Sequence, residues 1–180
     1  MTARSAAVVA GVLAVSAGAA VVVGLAAGRE PDSWYVDAGA TDGARAADGT
    51  QFLSSTGFVG GRFGTPSAQP VEGRLGDAIL RTSQIGMTSW SGEVSDGRYR
   101  VTLAMAETYW TEPGSRLFSV DVEGTPLVRD LDLVAAVGPR RELDRSVVVE
   151  VSDGMLDIAF SASVDLATVS AIEVVPEPAG

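Results

Sequence analysis

The stretch AETYWTEPGSRLFSV, residues 106–120, places Tyr109 and Trp110 side by side after an apolar run and just ahead of Glu112-Pro113-Gly114. An aromatic ring offers a flat apolar face to the C–H side of a pyranose, and its O–H or N–H reaches a ring hydroxyl. Adjacent strand residues point to opposite faces, so both rings are exposed together only where a strand gives way to a loop. Pro113-Gly114 supplies a break of that kind. The competing reading packs one of the two rings into the core.

The rest of the composition narrows the chemistry. Cysteine and histidine are absent, which excludes disulfides, thiol nucleophiles, Cys/His zinc sites and any Ser-His-Asp or Cys-His catalytic set. Carboxylates, arginine, tyrosine and hydroxyls remain. Asp130 and Asp132 are two apart and share a face if strand-borne, a poor arrangement for a glycosidase, whose two acids flank a cleft. Arg81 and Arg116 can hydrogen-bond sugar hydroxyls or an acidic sugar, or pair with surplus surface carboxylates. Asp42, Asp48 and Gly49 do not have calcium-loop spacing. No catalytic set, metal site or cofactor is called for. The net charge is −10 and all 13 basic residues are arginines, so nucleic acid phosphates are repelled and no nucleic-acid partner is expected.

These side chains need elements to hold them. Residues 5–28 carry no charge and are long enough to cross a bilayer as a helix of ~20 residues. Arg4 precedes the segment and Glu30 and Asp32 follow, which directs the N-terminus to the cytoplasm and the remainder outward. The segment reads as an uncleaved membrane anchor. A signal peptide, leaving a secreted domain, is the alternative, and a buried soluble helix the third reading. Residues 29–33 form a linker.

From Trp34 onward the pattern has period two. In RYRVTLAMAE, Tyr99, Val101, Leu103 and Met105 share one face, and Arg100, Thr102 and Ala104 the other. Phe118, Val120 and Val122 alternate with Ser119 and Asp121, and Glu123-Gly124 then offers a turn. Asp153-Gly154 between two alternating runs predicts a hairpin. A last strand is expected over 169–175, stopped by Pro176 and Pro178. Residues 37–80 are rich in glycine and alanine, with loops and short strands that the pattern does not place. The spacing predicts an all-β, two-sheet antiparallel sandwich of jelly-roll type over 34–176, preceded by one N-terminal hydrophobic helix and followed by a tail, 177–180.

The order of motifs resembles the malectin family. Tyr35-Val36-Asp37-Ala38-Gly39 is similar to its V-N-A-G opening, with Asp37 in place of asparagine. Phe58-Val59-Gly60-Gly61 is similar to F-x-G-G, and Ile79-Leu80-Arg81-Thr82 to L-Y-x-T. Tyr99-x-Val101-x-Leu103-x-Met105-Ala106-Glu107-x-Tyr109 follows Y-x-V-x-L-x-F-A-E-x-Y, and Gly114-x-Arg116-x-Phe118-x-Val120 continues it. Asp130-Leu131-Asp132-Leu133, Asp153-Gly154-x-Leu156-x-Ile158-x-Phe160 and Ala171-Ile172-Glu173-Val174 complete the series.

The resemblance implies a non-catalytic β-sandwich that binds carbohydrate. It implies sugar contacts from the aromatic pair Tyr109 and Trp110, from Asp165 before the last strand, and from Phe63 in the early glycine-rich loops. Glu107 lies inside the pattern and either orients the loop, through a bond to a backbone amide, or touches ligand. A further family tyrosine falls near Ile85 and is lost. The expected function is binding of a neutral, glucose-containing or related oligosaccharide, such as part of an envelope glycan, outside the membrane. The alternative is a protein-binding ectodomain that keeps the sandwich without sugar affinity.

Overall fold

The computed structural model describes residues 33–178. The expected hydrophobic helix, with the anchor or signal peptide it would form, lies outside the described residues, as do most of the linker and the last two residues of the tail. Among the described residues, no helix is long and apolar enough to cross a membrane.

Among the described residues, twelve strands and two short helices follow one another: β1 Trp34–Asp37, β2 Ala44–Arg45, β3 Gln51–Phe52, β4 Phe58–Phe63, α1 Asp77–Leu80, β5 Gln84–Glu93, β6 Gly97–Ala106, β7 Leu117–Val122, β8 Thr125–Leu131, α2 Leu133–Val137, β9 Glu142–Val151, β10 Met155–Val164, β11 Thr168–Val169 and β12 Ala171–Pro176. They form an all-β sandwich. One sheet has the order β1-β12-β6-β9. The other has the order β11-β5-β10-β7-β8, with β4 on the far edge of β5, and β2 pairs with β3 alone. Every pairing between named strands is antiparallel.

The inward faces of the two sheets meet in one core, where Trp90, Tyr99, Leu103, Phe118, Leu156 and Ile158 are fully buried. Alternation puts them there: Tyr99, Val101, Leu103 and Met105 face inward as the period-two pattern predicts. The polar tips of the largest rings are satisfied, with Trp90 Nε1 donating to the Thr56 carbonyl at 2.7 Å and the Tyr99 hydroxyl to the Ser95 carbonyl at 2.8 Å.

Three sequence expectations change. Asp153-Gly154 is not a hairpin turn: β9 pairs with β6 in one sheet, and β10 with β5 and β7 in the other. The dipeptide forms an arch from sheet to sheet, beside the β5–β6 arch, and Gly154 N–H donates to Asp96 at 3.0 Å. The single last strand is two strands, because the chain changes sheets at the buried Ser170. Asp130 and Asp132 do not share a strand face. Asp130 sits at positive φ on a bulged strand, and Asp132 caps α2 by accepting from Ala135 N–H at 3.0 Å. The Glu123-Gly124 turn does join a hairpin, β7–β8, with both residues at positive φ.

The outer face of the four-stranded sheet is covered too. Phe52, Val71, Leu75, Ile79 and Leu80 lie over Ala104, Ala106 and Ala171 in a second cluster. Alanine at these outward positions leaves room for the 44–80 excursion to cross the sheet, which is why Ala104 is buried while Arg100 on the same face is exposed. Arg74 fastens the excursion down, bonding Glu173 at 2.5 Å and Asp144 at 3.0 Å. The tail is held as well: Glu177 N–H donates to the Arg98 carbonyl, and its carboxylate pairs with Arg100.

Candidate functional site

A hollow of about 290 Å³ opens at one end of the sandwich. It exists because β5 changes partner along its length. Its second half pairs with β10, its first two residues with β11, and between them β10 bulges toward Leu117 and turns away through Asp165-Leu166-Ala167. The β6–β7 loop closes the other side, and Arg62, Gly64 and Thr65 at the end of β4 form the rim.

Tyr109 and Trp110 both line this hollow. Tyr109 is 73% exposed and Trp110 half-buried, so neither ring belongs to the core. The rings meet edge to face, with centroids 4.8 Å apart and planes at 89°. The strand breaks at Glu107, well before Pro113-Gly114. One carboxylate oxygen of Glu107, Oε1, accepts from the backbone N–H of Tyr109 at 2.9 Å and of Trp110 at 3.0 Å. A carboxylate binding two successive amides turns the chain sharply, and that turn presents both rings on one side.

Glu107 is 2% exposed, which makes it a positioning residue beneath the shelf. Its other oxygen accepts from Arg116 Nε at 2.6 Å. Arg116, 7% exposed, is not the surface ion pair expected of it. It reaches onward to Asp165 Oδ2 at 3.2 Å and donates to the Leu166 carbonyl, tying the β6–β7 loop to the β10–β11 loop. The sequence hid this role because its partners lie nine and about fifty residues away.

Asp165 sits at φ 56, a left-handed conformation that aspartate tolerates better than most residues. Its Oδ2 also accepts from Trp110 Nε1 at 2.8 Å. The indole N–H is therefore spent within the protein and is not the sugar donor that the sequence reading allowed. Oδ1 of Asp165 carries no bond from a described residue and remains free to accept. Thr65, Ser83, Thr108 and Thr168 add hydroxyls to the wall, and Ile85 lies on it.

Phe63 is not in this hollow. It is 45% exposed and lines the neighbouring one, of about 390 Å³, with Phe58 and Gln84. Arg62, beside it in sequence, lines both and was not singled out by the sequence. Arg62 is placed there by the close pairing of β4 with β5, beyond a register shift between Val59 and Gly60. Gly61 has φ 76, and a Cβ on it would lie 2.6 Å from the Ile85 carbonyl oxygen, so only glycine permits this approach. Among the described residues, no group of three or more His, Cys, Asp or Glu side chains is arranged to hold a metal.

Residues 34–173 match the family model described as Malectin domain. Malectin-B of Xenopus laevis is 26% identical over 115 residues, covering 52% of this chain and 42% of that protein, so the chain spans less than half the length of that relative. A beta-glucuronidase of Bacteroides uniformis superposes with a TM-score of 0.73 at 15% identity, over 81% of this chain and 18% of that one. The ANXUR2 extracellular domain from Arabidopsis thaliana superposes with a TM-score of 0.69 at 20% identity, over 82% of this chain and 42% of that one. At these identities the two structures establish the shared fold.

Proposed function

The chain belongs to the malectin domain family, and from that premise we propose that it is a non-catalytic carbohydrate-binding domain whose sugar rests on Tyr109 and Trp110. One observation carries the reading: two solvent-reachable rings and a carboxylate with a free oxygen meet in a single hollow, held by a buried ion pair. A pyranose laid on the rings covers their apolar faces. Its hydroxyls meet Asp165 Oδ1 and the threonine and serine hydroxyls of the wall. A neutral hexose of an oligosaccharide or envelope glycan meets every one of these contacts.

Affinity for a short glycan is expected in the range of roughly micromolar to millimolar, since little area is buried and polar groups must be desolvated. The reading puts the domain on the outer side of a membrane, anchored through residues 5–28 or released after cleavage. Mass spectrometry of the mature N-terminus separates the two. The site is tested by glycan-array and calorimetric binding of the wild-type chain against Tyr109→Ala, Trp110→Ala and Asp165→Ala. Equal binding by all four to every glycan rejects it.

A protein-binding role is the second reading. It is favoured by Ile85 on the hollow wall and by exposed Val59 and Phe63 on the edge strand β4. Capture of one partner protein, undiminished by competing oligosaccharides, distinguishes it.

A further inference from the structure

Nothing in the proposed sugar contacts uses Arg62, yet it stands where the two hollows join. Most other guanidinium groups are spent. Arg74, Arg100, Arg116, Arg129 and Arg141 pair with carboxylates, and Arg81 donates to the Ser67 carbonyl. Arg62 pairs with no carboxylate among the described residues, although the chain carries ten surplus negative charges. The acids of the hollow are already engaged: Glu107 by Arg116 and two amides, and Asp165 by Trp110 and Arg116. Of the two arginines that line the hollow, Arg116 is spent and Arg62 is left over for a ligand. Its backbone is held by pairing opposite Ile85, beyond the register shift between Val59 and Gly60.

We propose that the two hollows form one groove for an acidic glycan, in which Arg62 binds the carboxylate of a uronic acid unit on the Tyr109–Trp110 shelf and Phe63 takes the next unit along. A planar guanidinium matches a carboxylate through two parallel hydrogen bonds, a fit that a neutral hydroxymethyl group does not offer. Phe63 then has the stacking role its exposure allows, one hollow away from the first pair. The proposal rests on the reading of the Tyr109–Trp110 hollow as a sugar site and sharpens it from neutral to acidic ligands.

The test is calorimetric titration of the full chain in detergent solution, wild type against Arg62→Gln and Phe63→Ala. The probes are β-1,4-, β-1,3- and α-1,4-linked glucose tetrasaccharides, their C6-oxidised uronate twins and the corresponding disaccharides. For at least one linkage the uronate should bind about three- to tenfold more tightly than its neutral twin, and the gain should shrink as salt rises. Arg62→Gln should abolish that gain. Phe63→Ala should abolish the advantage of tetrasaccharide over disaccharide. Equal affinity for each pair of twins, or a preference that survives Arg62→Gln, overturns the acidic assignment and leaves the hollow a sugar site. Tetrasaccharides that gain nothing over disaccharides overturn the joined groove. Binding of no probe by the wild type overturns this proposal together with the sugar reading beneath it.

Discussion

Arg74 and Arg116 each gather carboxylates from distant parts of the chain. Arg74 draws on Glu142, Asp144 and Glu173 over the outer face of the four-stranded sheet, and Arg116 on Glu107 and Asp165 beneath the hollow. The Arg74 side chain is 42% exposed, the Arg116 side chain 7%. In the wetter cluster, water reaches the Arg74 guanidinium, although Glu142 and Glu173 are mostly buried, and the arginine acts as a clasp on a segment that Phe52, Leu75 and Ile79 bury in any case. In the drier cluster Arg116 and Glu107 are sealed from water and depend on each other, on Asp165, on two backbone amides and on the Leu166 carbonyl, so geometry becomes demanding. The same residue types therefore fasten a loop in one place and aim a pair of rings in the other.

The comparison breaks most visibly if the buried arginine is removed. Arg116→Ala should destabilise the domain by about 3–5 kcal/mol, because Glu107 is left buried without its cation. Thermal unfolding measures this. A loss no larger than that of Arg74→Ala would erase the distinction between the two clusters.

Asp37 sharpens it next, as a buried acid that has no arginine. Burial pushes its pKa from 3.8 up to about 6, partly offset by hydrogen bonds from the Gly39 amide and the Thr82 hydroxyl. The folded pKa lies above the unfolded one, so the stability this group contributes is full below about pH 4 and lost as pH rises through 6. Asp37→Asn should therefore overtake the wild type as pH rises, with an advantage on the order of 2–3 kcal/mol at pH 8 relative to pH 4. A stability difference that stays flat across that range would show Asp37 to be paired or solvated.

Arg74→Ala should cost about 1 kcal/mol, and less at high salt. Tyr109→Ala should change stability by less than about 0.5 kcal/mol while weakening glycan binding, since its ring is mostly exposed. A large loss of stability there would mean that the ring packs as core.

The strand pattern was readable because it is local. Tyr99, Val101, Leu103 and Met105 alternate in sequence and so alternate in space, and the Glu123-Gly124 turn closes a hairpin between neighbours. Asp153-Gly154 carries the same kind of signal and makes an arch instead, since nothing in a dipeptide says which sheet receives the next strand. Of the expected site residues, Tyr109, Trp110, Glu107 and Asp165 come together, while Phe63 lines the adjoining hollow. Arg62 and the buried state of Arg116 were not legible, because both depend on residues far along the chain.

What the sequence determined by itself was an all-β chain of alternating strands, without thiol or imidazole chemistry, carrying an aromatic pair at a strand end. Period-two alternation and residue inventory need no neighbours to be read. The tertiary structure alone decided that Trp110 gives its N–H to Asp165, that Arg116 ties two loops together, and that Arg62 stands between two hollows with no carboxylate partner among the described residues. Those outcomes follow from which charges are sealed from water and which are left facing it, and burial is a property of the assembled sheets.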